Sequence, residues 1–376
     1  MNFTLTEERQ MLQDGLRRYL RDTVTPDLLE DATESASGHS ETLWQGLAEM
    51  GVIGALFSEE DGGFGGAGFD IALTFEEMGR AGAFEPLLET GILAGGLIAA
   101  LGSDEQKARI EAIIGGDILT YAHAEPGSRY DLSRVTTRAA KSGEGWTLTG
   151  LKSVVPHAPA ATHAVVSART SGAVADRDGL SLFLVPLDVT GLSARDYTVN
   201  GGGRAAELSL VDVDLPADAL IGPEGGAFDA IETAHARATC AVCAEALGLM
   251  ESIRALTTEY LQTRKQFGQP IGKFQALQHR MADVLIEIEQ ARSAVINLAG
   301  HLEADRTIRE RHVSAAKNLI GRVGKLVVEE SIQMHGGIGM TREYALAHLA
   351  KRLMMIDHRF GDADYHLERF IRLAAA

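Results

Sequence analysis

The stretch Gln333-Met334-His335-Gly336-Gly337-Ile338-Gly339-Met340 ends a long helix-patterned run in a cluster of glycines. Glycines let the backbone approach a bound molecule closely, which side chains prevent. Two further blocks lie upstream. Arg264-Lys265-Gln266-Phe267-Gly268-Gln269-Pro270-Ile271-Gly272 leads into Phe274-Gln275-Ala276-Leu277-Gln278-His279, and Ala124-Glu125-Pro126-Gly127-Ser128 follows a strand-like run from Ile118 to Ala122. A guanidinium such as Arg264 can fork onto phosphate oxygens, and an aromatic such as Phe267 can cover an adenine face. Each block alone has an ordinary explanation: a proline-glycine turn, or a solvated Arg-Lys pair at a helix end. Their order along one chain carries the weight.

A chain of 376 residues is long enough for two or three packed units. Its net charge of −17 works against a general nucleic-acid or membrane-surface binder, because phosphates are repelled. Local arginines can still hold an anionic small molecule. The segment Met1 to Glu8 has no basic flank and no apolar core of signal length. The most apolar run, Gly91 to Leu101, falls short of the roughly 18 apolar residues of a membrane-spanning helix. Cys240 and Cys243 form a C-x-x-C, either a redox pair or two small core residues; the helical surroundings from Arg237 to Met250 favour the core. The expectation is a protein of the reducing cytoplasm.

Along the chain the texture changes twice. Residues from about 5 to 118 are helical in pattern, with apolar residues at three and four spacing in Met11-Leu12, Leu16, Tyr19-Leu20, Leu43, Leu47 and Met50. Ala32 to Ser40 reads as a loop and Ser58 to Gly68 as a glycine-rich break. From Leu119 to about Gly222 short β-like runs alternate with turn signals such as Gly143-Glu144-Gly145, Asp178-Gly179 and Asn200-Gly201-Gly202. Helical texture returns near Ala227, with runs from Leu277 to Leu302 and His312 to His335 that can pack as a four-helix bundle. The expected fold class is mainly α with a central β domain, divided at 1–118, 119–225 and 226–376.

Other motifs carry less. Gly63, Gly65 and Gly68 spell G-x-G-x-x-G, but no second parallel strand lies within reach to complete a βαβ unit, so a dinucleotide fingerprint is not supported. No H-E-x-x-H or clustered Cys/His spacing points to a metal, and no serine elbow appears.

The three opening blocks, in that order and spacing, resemble the flavin-dependent acyl-CoA dehydrogenases, from about residue 3 to 370. The resemblance implies an N-terminal helical domain, a middle β-barrel-like domain and a C-terminal four-helix bundle, with FAD bound partly across a subunit interface. It implies that Glu125, Pro126, Gly127 and Ser128 run under the flavin ring. Arg264 and Phe267 match residues that hold the pyrophosphate and adenine half across that interface, and Gln278, Gln333, His335, Gly336, Gly337 and Gly339 are read with them as cofactor-binding. The chain departs from the family in two places. The usual alanine-glycine-serine-aspartate after the proline-glycine gives way to Arg129-Tyr130-Asp131. A tryptophan-isoleucine-threonine stretch is replaced by Ser153-Val154-Val155-Pro156-His157, where His157 either supplies a replacement hydrogen bond or is a surface histidine. The second departure is similar to the small subunits of heteromeric acyl-CoA dehydrogenases of the pimeloyl-CoA type.

Removing an α-proton from a thioester needs a carboxylate held in a dry pocket. Many family members carry it in a tyrosine-glutamate-glycine-threonine motif; here the matching region reads Phe360-Gly361-Asp362-Ala363-Asp364-Tyr365. Other branches place it on an earlier helix, at a position that falls on Ala238. Glu245 follows seven residues later, almost two turns on, and projects from nearly the same face. It resembles the helix-borne base of heteromeric steroid-side-chain-type dehydrogenases; a structural ion pair is the competing reading. Asp362 and Asp364 can act on substrate or flavin, with simple N-capping the plainer role.

Taken together, the resemblance implies α,β-dehydrogenation of an acyl-CoA to the trans-2-enoyl-CoA, with Glu245 as base and an electron-transfer flavoprotein as acceptor. The missing aromatic and shifted base suggest a dicarboxylyl or bulky ring-bearing substrate. They also suggest a chain that works beside a homologous large subunit in an α2β2 assembly, with a homo-oligomer as the other arrangement. Two alternatives stay open: a non-catalytic subunit that completes a partner's FAD site, and an acyl-CoA oxidase, which would form peroxide.

Overall fold

The computed structural model describes residues 5–375, which divide into two compact units. One contains residues 27–66 and 84–238; the other combines the chain up to Pro26 with residues 67–83 and 239–376.

The first unit is built on a sheet. Strands β1 (Leu119–Ala122), β2 (Arg138–Ser142), β3 (Gly145–Pro156), β4 (His163–Arg169), β5 (Leu180–Pro186), β6 (Leu192–Thr198), β7 (Arg204–Leu215) and β8 (Leu220–Ile221) run in the order β6-β7-β3-β2-β4-β5-β8, with β1 pairing β4 in parallel. Strand alternation sorts the side chains. Ala122, Ala164, Val166, Ala168, Phe183 and Val185 join Trp146, Leu148 and Leu208 in one apolar core. The other positions of β1 and β4 carry Tyr121 and Ser167, and His123 directly follows β1; all three are buried as well. Both faces of β1 are therefore covered, as its unbroken burial shows. The pairing of β3 with β7 slips between Leu148 and Gly150 and again between Lys152 and Val155. Within the second slip Val154 adopts φ 50°, a conformation a β-branched residue rarely takes.

The helices of this unit differ in detail from the pattern. Pro26–Glu34 extends into the segment that reads as a loop, with Ala32 buried. The apolar run at Gly91 is π-helical from Leu88 to Gly95 before continuing as α-helix from Gly96 to Leu101. A β-carbon on Gly63 would lie 2.4 Å from the carbonyl oxygens of Gly54 and Phe57, so this glycine serves a tight chain crossing.

The second unit is helical. Its helices are Glu7–Thr23, Gly68–Ala81, the portion of Phe228–Thr263 from Thr239 onward, Gln275–Ala299, Arg306–His335, Ala345–Asp357 and Ala363–Ala375. Thr6 caps the first by accepting from the Arg9 amide. Arg9 and Arg17 tie it to Asp70 and Glu77 at 2.6 and 2.7 Å. Two helices cross at backbone contact: a β-carbon on Gly79 would fall 2.0 Å from the Glu245 carbonyl oxygen, and one on Gly248 equally close to that of Glu76. Asp362 accepts from the Tyr365 amide at 2.8 Å, the capping role read from the sequence. Cys240 and Cys243 are fully buried. Among the described residues no helix is long and apolar enough to cross a membrane.

Candidate functional site

In the sheet unit, β1 runs directly into Ala124–Ser128. Only part of that block faces outward: Ala124, Pro126 and Gly127 are exposed, while Glu125 and Ser128 are buried. The Ser128 hydroxyl donates to the Glu125 carbonyl at 2.9 Å and accepts from the Glu125 amide at 3.1 Å. The Glu125 carboxylate turns inward. It meets Lys152 Nζ at 2.7 Å, accepts from the amides of Thr136 and Thr137 at 2.6 and 3.0 Å, and is also bonded by the Thr136 hydroxyl. Burial by itself would raise this carboxyl, but Lys152 and these hydrogen bonds outweigh it and hold it at about 2. Burial pulls Lys152 down to about 8 against the attraction of Glu125. Glu125 and Ser128 thus shape the loop, and the atoms left for a ligand are backbone atoms together with Pro126 and Gly127.

His157 is not a surface histidine. It is buried at φ 54°, its amide donates to the Arg204 carbonyl, and Nε2 lies 3.9 Å from the Glu89 carboxylate. Val154, by contrast, is more than half exposed.

In the helical unit the cofactor candidates also sort by exposure. Lys265–Gln266 pairs with Gln269–Pro270 in a short hairpin, at whose tip Phe267 stands 90% exposed with φ 52°. Arg264, Gln278 and Gln333 are exposed, and Gln278 donates to the Gly272 carbonyl at 2.9 Å. Gly336 ends the helix Arg306–His335 at φ 67°, and Gly336–Met340 forms a 3-10 turn. Gly339 is buried, with its missing β-carbon directed at His335 and Leu346. The His335 ring points inward. Its Nδ1 lies 2.8 Å from the Ser331 carbonyl, its Nε2 lies 3.3 Å from the Tyr344 hydroxyl, and the ring stacks on Tyr260 at 4.5 Å.

Space decides whether these residues fit FAD. Added β-carbons at Gly127, Gly268, Gly336 and Gly337 would meet nothing within 4 Å, so the backbone there is open to a close-lying group. With the exposed guanidinium of Arg264 and the bare ring of Phe267, the helical unit offers donors for phosphate and a face for a base. The residues present fit a flavin dinucleotide.

Glu245 is buried in the same unit, its side chain 4% exposed. Arg352 Nη2, from Ala345–Asp357, approaches Glu245 Oε1 to 2.6 Å, yet that oxygen has no hydrogen-bond partner of acceptable geometry. Within Phe360–Tyr365, the region that matches the usual motif, Gly361 is closely packed. At φ 113° its β-carbon would lie 2.5 Å from the Tyr365 ring and 2.6 Å from His366 Nε2. No side chain fits there. Lys317, fully buried, donates to the carbonyls of Asp357 and Gly361 at 3.0 and 2.6 Å and fixes this segment.

Sequence reasoning did not find Arg352 or the work of Lys317, because both depend on partners distant in the chain. A lysine among Ala315, Ala316, Leu319 and Ile320 was the available signal.

Family models match nearly the whole length. They describe the acyl-CoA dehydrogenase N-terminal domain over residues 6–114, the middle domain over 120–214 and the C-terminal domain over 227–373. The probable acyl-CoA dehydrogenase YngJ of Bacillus subtilis is 28% identical over 378 residues, covering 99% of this chain and 98% of that one. Among solved structures, the Tcur3481-Tcur3483 steroid ACAD G363A variant is 33% identical with a TM-score of 0.88, covering 99% of each chain. The ChsE4-ChsE5 complex from Mycobacterium tuberculosis is 27% identical with a TM-score of 0.89, covering 100% of this chain and 99% of its own.

Proposed function

This chain belongs to the acyl-CoA dehydrogenase family and is an FAD-dependent oxidoreductase, and on that premise we propose that it is one subunit of a heteromeric enzyme acting on an acyl-CoA. The reaction is α,β-dehydrogenation to the trans-2-enoyl-CoA, with a dicarboxylyl or bulky ring-bearing acyl group as substrate. FAD, when bound, supplies the hydride acceptor, and an electron-transfer flavoprotein takes the electrons onward. Heteromeric assembly is supported by the similarity to the steroid ACAD and ChsE4-ChsE5 complexes.

Within this reading Glu245 takes the α-proton. One observation carries it: Gly361 has no room for a side chain, while the same unit buries the Glu245 carboxylate. Arg264, Phe267, Gln278, Gln333, Gly336, Gly337 and Gly339 hold the dinucleotide, with His335 contributing backbone. Pro126 and Gly127 lie under the ring, Glu125 and Ser128 fix their loop, and His157 is held in the unit's interior. The divisions at 118 and 225 and a cytoplasmic setting belong to the same proposal.

A second reading has its own support. The 2.6 Å contact sets the Arg352 guanidinium against one Glu245 oxygen, the arrangement of a structural ion pair. If the pair never opens, this chain is a non-catalytic subunit that completes a partner's FAD site. The test is to purify the chain alone and with its genomic neighbour, read flavin absorbance, and assay a panel of CoA thioesters. The proposal expects flavin and turnover in the reconstituted complex. Turnover that survives Glu245→Gln leaves only the second reading.

A further inference from the structure

The sheet unit contains a buried polar group that nothing in the cofactor or base assignments uses. Tyr121, on β1, is 6% exposed, and its hydroxyl has no hydrogen-bond partner. A buried phenol left in this way loses its bonds to water and gains nothing in exchange. Two imidazoles flank it: His123 stacks on the Tyr121 ring at 5.5 Å, and His235 meets both rings edge-on, at 5.7 Å from Tyr121 and 5.5 Å from His123. His235 is half-buried as a residue, with its Nε2 buried beside the cluster.

The surroundings define what such a group can bind. Burial pushes the Tyr121 hydroxyl well above its ordinary value. Burial first, then His235 and Lys152, holds His123 well below its own, so both rings are neutral. His123 Nδ1 is engaged by the Ser167 hydroxyl at 2.9 Å, which also lies 3.2 Å from Lys152 Nζ. The charge on Lys152 is met by Glu125 at 2.7 Å. Arg169, the other cation on this face, is spent on backbone carbonyls of residues 133–178. Neither Lys152 nor Arg169 is therefore left to draw in an anion. β1 continues directly into Ala124–Ser128, so an oxygen bound at Tyr121 would belong to whatever lies against that block.

We propose that Tyr121, with His123 and His235 beside it, is a specificity site for an uncharged oxygen, a hydroxyl or a ketone, carried on the acyl portion of the substrate. This rests on the reading that the substrate is an acyl thioester. The hydroxyl of Tyr121 would donate to a ketone, and would donate to or accept from an alcohol. A site built to bond an oxygen discriminates against the analogue that lacks it, because its own polar group is then left unpaired.

The test uses the reconstituted, flavin-loaded complex and the Tyr121→Phe variant. The probes are octanoyl-CoA and octanoyl thioesters bearing one hydroxyl or one keto group at successive carbons beyond the β-carbon. Wild type should favour at least one oxygenated probe, and Y121F should lower kcat/KM for that probe roughly tenfold while changing octanoyl-CoA less than about twofold. The hydroxyl and keto arms show which oxygen is preferred. A second measurement does not need turnover: without substrate, Y121F should melt at the wild-type temperature or above it, since it deletes an unsatisfied group. A clear fall in melting temperature would mean that a structural water already satisfies the phenol, which overturns the proposal. An equal loss on all probes, or none, overturns it as well. If wild type reduces its flavin neither with these thioesters nor with any member of the wider CoA-thioester panel, the acyl-CoA reading itself fails.

Discussion

Two of the buried carboxylate–cation pairs, Glu125–Lys152 in the sheet unit and Glu245–Arg352 in the helical unit, are built differently. Glu125 is satisfied by Lys152, by the amides of Thr136 and Thr137, and by the Thr136 hydroxyl. Lys152 in turn reaches the Glu125 carboxylate, the His123 carbonyl and the Ser167 hydroxyl. Glu245 and Arg352 are as close, yet Glu245 Oε1 gains no hydrogen bond of good geometry from the contact. Fully bonded buried ions hold a fold in place, whereas under-bonded ones mark a place that can rearrange. The first pair is fully bonded, and the second is the one the proposed function assigns to proton transfer.

The sharpest way to break that contrast is to remove one charged partner from each pair. Glu245→Gln in the reconstituted complex should cut turnover by about 10²–10⁴-fold, the usual contribution of a positioned base, while flavin absorbance is retained. Unchanged turnover would make the second pair structural too. Lys152→Met should act on stability: stranding the Glu125 carboxylate is expected to cost about 3–5 kcal/mol, measured by denaturant unfolding. A loss near zero would remove the distinction from the other side.

Acid sharpens it further. The Glu125 carboxyl is held at about 2 in the fold, below its ordinary 4.5, so the unfolded chain binds the proton first. Its stabilisation is complete above 4.5 and is lost as pH falls through about 2. Melting temperatures across that window should drop more steeply for wild type than for Glu125→Gln; parallel curves would contradict the assignment. The smallest effect on stability is expected at the hairpin tip. Phe267→Ala removes a ring that touches mostly solvent, so unfolding free energy should stay within about 0.5 kcal/mol of wild type while flavin retention falls. Retained flavin would detach Phe267 from the cofactor.

The same contrast marks how far the sequence could be read. Texture located the sheet between helical segments because strand alternation and helical spacing are local properties. The glycines at Gly127, Gly336 and Gly337 were legible because open backbone needs no partner to be recognised. Side-chain direction was not. Glu125 and Ser128 sit in a block read as ligand-facing, yet both turn inward, because Lys152 and the Thr136–Thr137 amides are brought to them only by the pairing of distant strands. Arg352 escaped notice for the same reason: nothing near it in the chain announces Glu245. The inward ring of His335 depends on Tyr260 and Tyr344, which helix packing supplies.

The crowding around residue 361 limits what a single replacement can do there. Tyr365 and His366 fill the volume that any substituent at that locus would require, and His366 is itself bonded to the Phe360 carbonyl at 3.0 Å. A carboxylate introduced at 361 would first have to displace both rings, so one exchange at that position does not hand this unit a second acid.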